Sequence, residues 1–138
     1  MKHWFRRRET AADAWLYCEI GADGALERHV EFRGPLEQPV AAFSSTEWWA
    51  ARQEGRLEAY EATFGILTDA LAAPADADGT QPLTARAFED VWRVARSICE
   101  ARSRVKALTR HRTGHLDVRA GCGTWPYRVM SSWPVSMP

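Results

Sequence analysis

The chain has 138 residues, 46% of them apolar, with 18 basic and 18 acidic side chains and three cysteines. That size and apolar fraction suit one small domain with a buried core, and no apolar run reaches the roughly 18 residues of a membrane span. Zero net charge without a nucleic-acid fingerprint argues against a chain that is basic throughout, and widely spaced cysteines without a CxxC fit a reduced, cytoplasmic setting.

The zero net charge hides segregation. Residues 1–8 carry Lys2, Arg6, Arg7 and Arg8 and no acid. Residues 9–90 carry sixteen acids and five bases, and residues 91–138 carry nine bases and two acids. Such poles either neutralise each other on packing or meet a charged partner.

Taken in order, residues 1–12 read as a basic arm anchored by Trp4 and Phe5. The start is basic, but no apolar segment follows it, so no signal peptide is expected. Ala14–Ile20 and Leu26–Arg33 read as strands, joined by a loop through Ala22, Asp23 and Gly24. With Gly24 in the left-handed region, Ile20 opposes Leu26, Cys18 opposes Arg28 and Leu16 opposes Val30. Leu16, Cys18, Ile20, Leu26, Val30 and Phe32 then share a core face. Trp15, Tyr17, Glu19, Glu27, His29 and Glu31 share the other. Gln38–Phe43 reads as a short edge strand, since Pro39 cannot donate to a ladder.

Ser44-x-x-Glu47 is a capping box, so a helix is expected from Ser45 to about Glu54. Gly55 breaks it, a second helical segment follows from Arg56 to Phe64, and Gly65 caps that. Residues 72–82 read as a linker. Thr84 opens a long helix to about Leu108, with Phe88, Val91, Trp92, Ala95, Ile98, Cys99, Val105 and Leu108 on an apolar stripe. Residues 13–112 form the expected domain. Residues 113–138, with Trp125, Tyr127, Trp133 and several Pro and Gly, read as a tail that needs a surface to dock on but is dispensable for the fold.

No phosphate loop, dinucleotide fingerprint, zinc signature or nucleophile elbow is present. His111 and His115, four apart, are candidate metal ligands with Cys122 or Asp117, and Gly114 between them is expected to end the helix there. Cys18 and His29 form a candidate nucleophile and base, but the register above sends them to opposite faces. Arg102, Arg104, Lys106, Arg110 and Arg112 are candidate phosphate ligands on the helix end. The face of Trp15, Tyr17, Glu19, Glu27, His29 and Glu31 pairs flat rings with carboxylates, as protein-binding surfaces do. No cofactor is called for.

The run Trp15-Leu-Tyr-Cys-Glu-Ile20, then Gly24, Arg28-His-Val-Glu-Phe32 and Ala87-Phe-Glu-Asp-Val-Trp92 resembles a group of small bacterial domains of unknown function. The match covers roughly residues 14–100. Some of those proteins look like immunity proteins, which bind and block a toxin made by the same cell. The resemblance implies a strand, strand and helix pattern and a protein partner, and it transfers no functional residue. The expectation is an α+β domain with a small antiparallel sheet of two or three strands packed on helices. Its expected role is that of a non-catalytic protein-binding module, immunity-like or regulatory, with a toxin or an enzyme as partner and a homodimer through the tail as a further option. A phosphate- or nucleic-acid-binding accessory protein is the alternative. A small enzyme with a pocket under the Trp48/Trp49 helix is the third.

Overall fold

The computed structural model describes residues 1–66 and 79–114. The tail, with His115, Asp117 and Cys122, lies outside the described residues, as does most of the expected linker.

The fold is α+β. The strands are β1 (His3–Glu9), β2 (Ala14–Ile20), β3 (Leu26–Arg33), β4 (Gln38–Ser44) and β5 (Thr80–Pro82), and the helices are α1 (Ser45–Gln53), α2 (Leu57–Phe64) and α3 (Ala85–Gly114). The strands make one antiparallel sheet in the order β4-β3-β2-β1-β5. Among the described residues five strands replace the two or three expected. The additions are the basic start of the chain, which enters the sheet as β1 instead of remaining an arm, and three residues of the loop before α3.

The helix signals hold. Ser44 caps α1 by accepting from the Glu47 amide at 3.5 Å. Thr84 Oγ1 accepts from the Ala87 amide at 3.1 Å and caps α3, which runs six residues past its expected end at Leu108. Gly65 ends α2 at φ +88°, where a Cβ would sit 2.7 Å from the Cβ of Ala41. Both the positive φ and the close approach demand glycine. Gly65→Ala is therefore expected to lower stability by about 2 kcal/mol, measured by urea denaturation; an unchanged midpoint would mean that α2 does not press on β4 there.

The hairpin turn also holds. Gly24 has φ +81°, and the Asp23 carboxylate accepts from the Ala25 amide at 3.1 Å. The register beyond the turn does not. Ile20 pairs with Leu26 as expected, but a shift between Glu19 and Ile20 then sets Glu19 against Arg28, Cys18 against His29 and Leu16 against Glu31. One extra residue on β3 reverses its remaining side chains. Val30 and Phe32 turn towards α3 on the same side as Trp15, Tyr17 and Glu19. His29 and Glu31 turn to the opposite side, with Phe5, Arg7, Leu16 and Cys18.

Val30, Ala42, Ala95 and Cys99 form the core between sheet and α3, flanked by Tyr17, Phe32, Phe64, Val91 and Trp92. A second core lies on the other sheet face around Phe5, Leu16 and Cys18, with Ile20 and Leu26 packed against it. A third joins Phe43 to Ala51 of α1 and Tyr60 of α2. The sheet thus has buried side chains on both faces.

Candidate functional site

Because β3 reverses, the six aromatic and acidic residues do not form one surface. Trp15 and Tyr17 are half-buried on the α3 side. Glu19 is buried, and Lys2 and Arg28 donate to its two carboxylate oxygens. Burial favours the neutral carboxyl, but the hydrogen bonds from Lys2 and Arg28 outweigh it and hold Glu19 below the usual carboxylate range. Lys2 also bonds Glu27. Arg28 reaches Glu89 of α3 and lies 5.0 Å from the ring centres of both Phe88 and Trp92. Glu19, Glu27 and Arg28 are therefore structural, tying β1, β2, β3 and α3 together.

Cys18 and His29 meet as cross-strand neighbours, contrary to the sequence reading. Their environment opposes nucleophilic chemistry. Burial pushes the Cys18 thiol up to about 12 and the His29 imidazole down to about 4. Near neutral pH the pair is thus a thiol beside a neutral ring, not a thiolate beside an imidazolium. Both His29 ring nitrogens are buried without a hydrogen bond. Glu31 is buried on the same face and accepts from Arg33 Nε.

Under the Trp48/Trp49 helix there is a hollow lined by Glu47, Ala50, Ala51, Arg56, Tyr60 and Phe64. Its polar groups are committed to packing. Tyr60 Oη accepts from the Ser44 amide at 2.8 Å and donates towards Glu47. Burial is the main reason that the phenol is pushed up to about 12. Arg96 clamps Glu47 with both terminal nitrogens, at 2.7 and 3.2 Å. Among the described residues no three His, Cys, Asp or Glu side chains could hold a metal ion.

The structure assembles a group that sequence reading missed. Trp15 stands beside Arg6 and Arg8 of β1, whose guanidinium carbons lie 4.9 and 5.5 Å from its ring. The ladder sets this geometry, since Arg6 pairs with Tyr17 and Arg8 with Trp15. Arg6 Nε donates to Gln81 at 2.8 Å, and Arg8 pairs with Asp13. Guanidinium groups over an indole are favourable cation–π contacts. They leave a flat ring with a cationic rim on the sheet. Only the strand-like pair Trp4-Phe5 before the arginines hinted that this segment enters the sheet.

The basic helix end is split in use. Arg102 donates to the Pro39 carbonyl on β4, and Arg104 lies 3.7 Å from Glu100. Lys106 and Arg112 are exposed. Among the described residues no helix is long and apolar enough to cross a membrane. Comparison of the chain with protein-family models, curated proteins and solved structures finds no match.

Proposed function

We propose that this chain is a non-catalytic protein-binding module, immunity-like or regulatory, whose contact surface centres on Trp15. The observation that carries the reading is the half-buried indole between Arg6 and Arg8. A large ring on a rigid strand is the usual anchor of a protein interface, and arginine is the charged residue most enriched beside one. Arg8 is balanced by Asp13, while among the described residues Arg6 bonds only the neutral Gln81 side chain, so the corner keeps a net positive charge on Arg6. The partner it fits is acidic.

The test is capture of partner from a lysate of the native host by the wild type and by the double variant Trp15→Ala, Arg6→Glu. The wild type retains a partner; the variant is expected to lose it, with a melting temperature within a few degrees. A well-folded variant that captures as well as the wild type would move the site away from this corner. The second reading, a phosphate- or nucleic-acid-binding role, is favoured by the exposed Arg104, Lys106 and Arg112 together with Arg6 and Arg8. Salt separates the two, because phosphate-backbone binding falls steeply and log-linearly with salt.

A further inference from the structure

Helix α3 carries a second apolar stripe that packs against nothing described. Val94, Ile98, Ala101, Val105 and Leu108 recur at intervals of four, three, four and three, the spacing of a coiled-coil seam. The four large ones stay exposed, at 55, 38, 62 and 71%. The stripe spans about 21 Å of helix at 1.5 Å per residue. It runs beside the core-facing positions Phe88, Ala95 and Cys99, on the flank turned away from α2. The opposite flank meets α2, where Ser103 bonds Thr63 and Arg96 lies over the Phe64 ring.

We infer that this flank docks an amphipathic helix of another protein, one with acidic residues beside its apolar seam. The inference rests on the reading of the chain as a protein-binding module and names the kind of partner. Shape comes first. The outermost line of α3 carries Arg93, Ser97, Glu100 and Arg104, so a flat surface meets polar groups before it meets the stripe. A rod lying alongside α3 reaches the stripe directly, as in helix-in-groove recognition.

Charge selects the occupant. From Arg93 to Arg112 the helix holds seven basic residues and one acidic residue, Glu100. Asp90, the acid near the start of the stripe, is already paired with Arg93 at 2.5 Å. A second copy of α3 would set like charges against each other across the seam. Glutamates flanking the partner's seam would instead meet Arg104 beside the stripe and Arg112 one turn beyond Leu108, which favours association and excludes basic helices.

The probe is a synthetic peptide of about three heptads, with Leu and Ile on its seam and Glu at the flanking positions, which also keep it monomeric. Its counterpart carries Lys in place of Glu. Anisotropy titration is expected to show the acidic peptide binding the full chain and the lysine peptide not binding. Ile98→Asp with Val105→Asp should weaken the acidic peptide at least roughly tenfold. Both sites are exposed, so the variant's melting temperature should stay unchanged. Trp15→Ala should leave peptide binding intact, which separates failure of this flank from failure of the Trp15 corner. The inference is overturned if the acidic peptide does not bind, if the seam variant binds it equally well, or if the lysine peptide binds as tightly. It is also overturned if the chain sediments as a dimer that Ile98→Asp dissolves, or if anionic vesicles are bound through the stripe, because the occupant is then a second copy or a lipid surface.

Discussion

Val30→Asp is expected to leave the chain unfolded at neutral pH. Val30 is fully buried between the sheet and α3, among Ala42, Ala95, Cys99 and the rings of Tyr17, Phe32 and Trp92. A carboxylate there has no partner, and an unpaired buried charge costs several kcal/mol. Small domains are stable by about 5–15 kcal/mol in all. Losing the valine's packing adds to the charge penalty. Far-UV circular dichroism with urea titration reads the result. A cooperative transition at the wild-type midpoint would show that α3 does not cover the sheet at Val30.

Acidification is expected to weaken the fold through His29 as the pH falls from about 6.5 towards 4. His29 is folded with its pKa near 4 and unfolds to about 6.5. Between those values the unfolded chain binds the proton that the native chain refuses. The contribution of His29 is therefore complete above about pH 6.5 and lost progressively as the pH falls to about 4. A shift of that size amounts to about 3 kcal/mol. Glu19 adds a later loss: its lowered carboxyl stabilises the fold above the unfolded value of about 4.3, and that stability goes as the pH falls further. His29→Leu should flatten the slope between pH 6.5 and 4. It should also stabilise, or at least not weaken, the fold at pH 7, because the imidazole nitrogens it removes have no partners. Urea midpoints at several pH values decide it; parallel slopes for the two proteins would place the acid sensitivity elsewhere.

What could be read from the chain depended on local signals. Ser44, Thr84, Gly24 and Gly65 act within a few residues of themselves, and each stands where its chemistry placed it. The reversal of β3 was illegible for a definite reason. Sorting apolar from polar residues presumes a sheet with one wet face, and here His29 and Glu31 are buried on one side while Val30 and Phe32 are covered on the other. Glu31→Lys, harmless on a wet face, thus becomes a substitution at a buried site. β1 was hidden by its consecutive arginines. Three in a row look like a solvated arm, but alternation sends Arg7 into the interior and Arg6 and Arg8 to Trp15. The Trp15 corner was invisible for the same reason, since half of it comes from that strand. β5 is three residues long and takes its conformation from the edge of β1.

The order β4-β3-β2-β1 makes four of the five strands a plain meander, each paired with its neighbour in the sequence. Such pairings close short loops and set a low contact order, which favours rapid assembly. Only β5 and α3 must return across a long stretch of chain, to β1 at one edge and over β4 at the other. That topology predicts a kinetic division, with the meander nucleating from the first 44 residues and substitutions where α3 seats on the sheet acting mainly on the unfolding rate.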